Sequence, residues 1–290
     1  MALGTDHMTT TTGAVFIPEI WSREIIREAE SQLVAANLVK RYDADVSKKG
    51  DTIHVPEISN LTTNSKSAST AVTLQTVTEG EQTISIDTHE EVSFLVEDIV
   101  KTQSQYDLMH EYTEKAGYAI AQKVDSDVLA LYSSLTSTDV GTYGSDITDA
   151  VILSAIQTLD EVDVPMENRA IIIAPSQKTA IAKIDKFVRA DYLGEAQKKM
   201  PSQTGPASQR LWGDIYGIPV YWTNQVPTTA GTPTQVHNLV FHKEAFALAM
   251  QQKPRTQAEY KLEYLGWLTV SDILYGVAAM RTTWGVEMRS

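Results

Sequence analysis

An α+β fold, in two domains or one large elaborated one, is predicted by three features of the 290-residue sequence. Two alternating strand patterns flank a long Ser/Thr-rich segment. An apolar stripe at helical spacing then runs for about eight turns. Finally, a helix–strand–helix module is followed by a strand-rich last fifty residues. With 42% hydrophobic and 21% charged residues, the chain falls outside the disordered and collagen-like classes. It can bury roughly three quarters of its unfolded surface without staples. It has no cysteine, which excludes a disulfide scaffold, a thiolate metal site and a cysteine nucleophile.

Residues 1–13 are polar and Thr-rich, the composition of an arm. Pro18 suits the first turn of a helix, in which Trp21, Ile25, Ala29, Leu33 and Ala36 fall on one face. Thr52 to Ile58 reads as a strand. The next twenty residues, 59–78, contain ten Ser or Thr and few apolar side chains. Alternation resumes at Ile84 and Ile86 and continues through Val92, Phe94 and Val96, which describes a hairpin with a long projecting tip. Met109, Tyr112, Ala116, Ile120, Val124, Val128, Tyr132 and Leu135 predict a spine helix over 106–135, ~45 Å long at 1.5 Å per residue. Asp125 and Asp127 on it read as solvated.

The Gly- and Ser-containing stretch 138–146 reads as a linker. A helix follows through Val151, Ile152, Ala155, Ile156 and Leu159, then a buried strand at 170–174 and a helix opened by Pro175. Residues 200–209 read as a polar Pro/Gly loop. Strands are expected at 215–223, 239–241, 245–250, 259–264 and 273–286.

Chemistry-bearing motifs are few. The sequence has no phosphate-binding Gly-rich loop and no nucleophile elbow. Its six histidines never pair at metal-ligand spacing on one helix. His110 and Glu114 share a helix face but lack the second histidine of a zinc protease, and His89-Glu90-Glu91 reads as a polar cluster between two strand-like runs. No cofactor is expected. Lys178, Lys183, Lys186, Arg189, Lys198 and Lys199 form one basic concentration, diluted by Asp185, Asp191 and Glu195, and read as a salt-bridged surface. With 24 Lys+Arg against 37 Asp+Glu the net charge is −13, which repels a phosphate backbone on average. There is no apolar run long enough to span a bilayer and no signal-like N-terminus, so the chain reads as soluble and unexported, with no membrane partner.

The order arm, helix, projecting hairpin, spine helix, α/β module and returning strands resembles the major capsid proteins of tailed bacteriophages, the Hong Kong 97-type fold. Ile171-Ile172-Ile173-Ala174-Pro175 is similar to the family's apolar strand, proline and helix. Gly213-Asp214-Ile215-Tyr216-Gly217-Ile218-Pro219-Val220, with Asn224 and Pro227, resembles its Gly-x-x-x-Gly-x-Pro-Val strand. Val240-Phe241-His242-Lys243-Glu244-Ala245 resembles the strand and turn before its long peripheral strands, with His242-Lys243 in place of the Gly-Asp pair often found there.

The resemblance implies an N-terminal arm and first helix over 1–45 and an extended β-hairpin loop over 46–90. It implies a peripheral domain over 91–140 and 239–263, and an axial domain over 141–238 and 264–290. The implied function is structural and non-enzymatic, self-assembly as hexamers and pentamers into the icosahedral head shell around double-stranded DNA that is enclosed without specific binding. A separate scaffolding protein and a portal are the implied partners, and the virion, with the host cytoplasm during assembly, the implied location. An encapsulin-like bacterial compartment of the same fold is the alternative, and an enzyme of unrecognised class the third reading. Trp21, Ile25, Leu33 and Lys66 are the candidate interface residues. Some relatives join subunits by a Lys–Asn isopeptide bond, and Lys66 stands where such a lysine could lie, with no asparagine partner assigned.

Overall fold

The computed structural model describes residues 34–46, 50–58, 61–72, 74–77, 79–103, 108–184 and 211–290. The first described elements are a one-turn helix α1 (Ala35–Leu38), a two-residue strand β1 (Lys40–Arg41) and a second short helix α2 (Asp43–Val46). Strands β2 (Thr52–Ile58) and β3 (Glu79–Ser85) pair antiparallel from Thr52↔Ser85 to Ile58↔Glu79. Strand β4 (Thr88–Glu97) follows, then α3 (Asp98–Gln103), the spine helix α4 (Leu108–Ala130) and a 3₁₀ turn over Leu131–Ser134. The spine is thus 23 residues long, about 35 Å, shorter than its apolar stripe predicts. Tyr132 and Leu135 continue the stripe because they still pack on the core, but from a tightened turn rather than from the helix.

Beyond β5 (Val140–Gly141) come α5 (Asp149–Glu161), β6 (Arg169–Ile173) and α6 (Pro175–Ile181), close to their predicted bounds. The single strand expected over 215–223 is a tight hairpin, β7 (Leu211–Ile215) and β8 (Ile218–Trp222). Tyr216 and Gly217 both carry positive φ, 53° and 80°, the combination a two-residue turn needs to match strand twist. A two-residue strand β9 (Thr228–Thr229) precedes β10 (Gln235–His242). Two long strands, β11 (Phe246–Lys261) and β12 (Gly266–Ala279), and a last strand, β13 (Gly285–Arg289), complete the chain. The two strands expected at 245–250 and 259–264 are the ends of one, β11. Its polar middle loses the alternation, yet register shifts at Met250/Gln252 and Gln252/Arg255 let pairing with β12 continue.

These strands form a seven-stranded sheet, ordered β5-β13-β10-β6-β8-β7 with β9 on β10, and a four-stranded sheet, β1-β11-β12-β4. Residues 239–242 belong to β10 and hence to the seven-stranded sheet, and 266–279 form β12 of the four-stranded sheet. The short 262–265 connection makes β11 and β12 a hairpin along nearly their whole length.

Both faces of the seven-stranded sheet are covered, so β6 is buried at every residue. Ile172, Leu239 and Phe241 face a core shared with α1, α4 and the four-stranded sheet through Val124, Val128, Phe246, Ile273 and Tyr275. Ile171, Ile173, Val220 and Val240 face α5 and α6 through Ile152, Leu159 and Ile181. A third, smaller core joins the hairpin base to the other side of the four-stranded sheet, through Ile84, Ile86, Ala247 and Ala249, with Ile53, Val55 and Leu274 half-buried against it.

Candidate assembly surfaces

Among the described residues, apolar side chains that the three cores leave uncovered cluster at two places, while Tyr112, Leu153, Val162, Met166 and Tyr216 are exposed elsewhere. The first is the hairpin. Its base is held firmly: Gly276 of β12 lies so close to the hairpin that an added Cβ would sit 2.0 Å from the Ser85 carbonyl oxygen. Toward the tip burial ends, and the described residues 61–72 and 74–77 form no regular structure. Ile58, Leu61, Val72, Leu74 and Val77 are all more than half exposed, Leu74 at 89%. Local hydrogen bonds shape the tip nonetheless. The Thr62 N–H donates to Gln75 Oε1 at 3.0 Å, and Gln75 Nε2 donates back to the Thr62 carbonyl, so one side-chain amide imitates a strand partner. The Thr70 hydroxyl donates to the Ser67 carbonyl at 2.8 Å across a turn in which Ser69 takes φ 64°. Lys66 is exposed beside that turn.

The second place is the far end of the four-stranded sheet. The β11–β12 connection exposes Leu262, Tyr264 and Leu265, with Trp267 at its exit. The start of α3 adds Ile99 and Val100, and Leu95 lies on β4. Backbone pairing places the connection beside α3: Trp267 is opposite Val96, and the Asp98 N–H donates to the Leu265 carbonyl at 2.9 Å, while Leu95, paired with Leu268, faces the other side of the sheet from Trp267. The Tyr260 hydroxyl donates to Asp98 Oδ2 at 2.7 Å, which raises the phenol's pKa, and the Tyr260 and Trp267 rings meet edge to face at 5.5 Å. The sequence carried a signal for this patch, Leu262-Glu263-Tyr264-Leu265-Gly266-Trp267, a turn rich in apolar residues where polar ones are usual.

Of the sequence-derived candidates, Lys66 is on the hairpin tip, whereas Trp21, Ile25 and Leu33 lie outside the described residues. Lys178 and Lys183 of the basic run are described, the former stacked over Trp222 at 4.1 Å, and the remainder of that run lies outside the described residues. His110 and Glu114 are exposed on α4.

His89 Nε2 lies 3.2 Å from Asp272 Oδ2 in a half-exposed cluster where Arg255 donates twice, at 2.8 and 3.0 Å, and Gln252 once, at 2.6 Å. The Arg255 guanidinium, above all, holds the Asp272 carboxyl well below the usual carboxylate range. No group of three His, Asp or Glu placed to hold a metal occurs among the described residues.

The reading of Asp125 and Asp127 as solvated is overturned. Asp125 is wholly buried and Asp127 accepts a hydrogen bond from the buried Tyr275 hydroxyl at 2.6 Å. Both sit beside the apolar stripe, which widens at Val128 and Leu129 to cover more of the helix than its strict periodicity indicates.

Comparison with known proteins agrees with this architecture. A family model described as phage capsid protein matches residues 79–286, about seven tenths of the chain. The chain belongs to the phage capsid protein family. No curated protein sequence matches it. Among solved structures, one from Mycobacterium phage Che8 aligns with TM-score 0.78 at 25% identity, over 94% of this chain and 97% of that one. The capsid of Cyanophage P-SCSP1u aligns with TM-score 0.73 at 17% identity, over 96% and 93% of the two chains. The mature capsid of bacteriophage PhiM1 gives 0.73 at 15%, over 99% and 96%. The fold of this capsid protein is the Hong Kong 97 type, its family is structural, and it is a virion component: a major capsid protein that forms the head shell by self-assembly.

Proposed function

We propose that copies of this capsid protein meet through the hairpin tip and the apolar end of the four-stranded sheet. The tip of one subunit lies on the body of a neighbour within hexamers and pentamers of the shell. The observation that carries this reading is the clustering of uncovered apolar side chains at both places, outside the three cores of the described residues. The tip has too few apolar contacts of its own to offset about 1–2 kcal/mol of backbone ordering per residue, so a neighbour's surface supplies what is missing. Lys66 serves this contact from the tip. Trp21, Ile25 and Leu33 serve a second contact made by the N-terminal segment. In this reading β4, α3, α4, β11 and β12 make the peripheral domain, and the seven-stranded sheet with α5 and α6 makes the axial domain.

The net charge of −13 supports a container that encloses double-stranded DNA without gripping it. A separate scaffolding protein, a portal and assembly in the host cytoplasm complete the proposal, as does the absence of any catalytic activity of the subunit. The family match to phage capsids disfavours an encapsulin-like compartment.

The test is expression of the chain and inspection of the product by light scattering and negative-stain microscopy. Closed particles that are lost on combining Leu74→Asp with Leu262→Asp, while the subunit keeps its unfolding midpoint, support the two contacts. Particles that form unchanged from that variant overturn them.

A further inference from the structure

The spine helix carries an ionisable group where its burial is hardest to explain by packing. Asp125 has no solvent exposure. Its carboxylate accepts the Ala36 N–H at 2.9 Å and the Val34 N–H at 3.3 Å, across some ninety residues of chain. The Ala35 N–H adds a third favourable contact. These amides open α1, and at Val34 the N-terminal 33 residues join the described body.

No cation compensates this buried charge among the described residues. α1 (Ala35–Leu38) contributes no titratable side chain, and the core around it is apolar, including Ile120, Val124, Val128 and Leu129 of α4. The nearby charges on α4 are engaged elsewhere. Lys123 donates to Asp127 at 2.7 Å and lies 3.6 Å from Glu90, and Asp127 also takes the Tyr275 hydroxyl. Transferring an unpaired carboxylate out of water is costly, and backbone N–H groups offset only part of that cost.

We propose that Asp125 is a proton-sensitive latch that fastens the root of the N-terminal segment to the spine helix. Ionised, the carboxylate keeps the Val34 and Ala36 N–H bonds, one on each oxygen, but bears an uncompensated charge. Protonated, it loses the charge and keeps its carbonyl oxygen as an acceptor while the bond to the other oxygen weakens. Burial accordingly pushes its pKa above the ordinary aspartate value, and the backbone contacts do not reverse that.

The sign follows from linkage. The latched state binds the proton more tightly than the open one, so the latch is tightest in acid. It weakens as pH rises from the ordinary aspartate value to the raised one, then levels off. Each pKa unit of elevation changes the latching equilibrium about tenfold.

The test is hydrogen exchange of the peptide covering residues 34–39 in the intact chain at pH 4 to 8, normalised to unstructured rates at each pH. A peptide from β10 serves as the control. Protection of 34–39 is expected to fall several-fold as pH rises, with the β10 peptide flat, and Asp125→Asn is expected to abolish the slope. Protection independent of pH, or a slope that persists in Asp125→Asn, overturns the latch. Should that variant fail to fold, a carboxyl ¹³C titration of Asp125 in the wild-type chain decides. A midpoint above the ordinary aspartate value supports the latch, and one at or below it overturns the latch.

Discussion

Strand β6 is a continuous apolar run beyond Arg169 and the β2 strand of the hairpin is apolar at alternate positions, and the two are stabilised in opposite ways. In β6 every residue is buried, because α4 covers one face of its sheet and α5 and α6 the other. In the hairpin only the base, at Ile84 with Ile53 and Val55, rests on a core, and the apolar residues beyond Ile58 point into solvent. The first region folds on contacts within its own chain. The second, in the reading proposed above, is an arm whose outer half is completed by another molecule. The difference separates the part of the sequence that specifies the subunit from the part that specifies the assembly.

The sharpest way to break that distinction is to cut into both regions and compare. Ile172→Ala empties a site with no exposure between the sheet and α4, and is expected to lower subunit stability by about 2–5 kcal/mol. A shift in the urea midpoint at unchanged slope checks it. Gly276→Ala probes the boundary between the regions, since its Cβ would overlap the Ser85 backbone. Forcing the hairpin base off the four-stranded sheet is expected to cost about 1–3 kcal/mol, and hydrogen exchange at 52–58 and 79–85 should rise with it.

A smaller effect is expected from the Asp272 cluster, which lies in the body and should behave as a subunit property. Its carboxyl is held below the ordinary value by Arg255, with His89 and Gln252 assisting. The stabilisation is therefore complete above the ordinary aspartate pKa of about 3.9 and is lost as pH falls through the depressed value. Thermal melts from pH 6 downward should show wild type losing midpoint below about pH 4 more steeply than Asp272→Asn. The smallest effect on the subunit is expected at the tip. Leu74→Ala should change subunit stability by no more than about 0.5 kcal/mol while reducing particle yield. A large loss of subunit stability there would place the tip in the subunit's own core.

The same contrast governs what could be read in advance. The strand at Thr52–Ile58, the helix at 149–161 and the turn into α6 at Pro175 are legible because local pattern and packing agree there. The long β11 is not, because residues 251–257 are polar on both faces and are held as strand by pairing with β12 rather than by burial. Asp125 misleads for the opposite reason: an acidic residue on a helix usually faces water, and its partners are backbone amides ninety residues away. The Ser/Thr-rich tip is recognisable as unusual from composition. The apolar β11–β12 turn completes a surface only when α3 and β4 are folded beside it.

The account rests most directly on where the tip obtains its order, and hydrogen exchange of residues 61–77 in free subunits and in assembled particles measures that. The expected result is fast exchange in subunits, apart from the Thr62 amide held by Gln75, and strong protection across the segment in particles. Equal protection in both states would contradict it, because the hairpin would then be ordered by its own chain and the assembly contact would lie elsewhere.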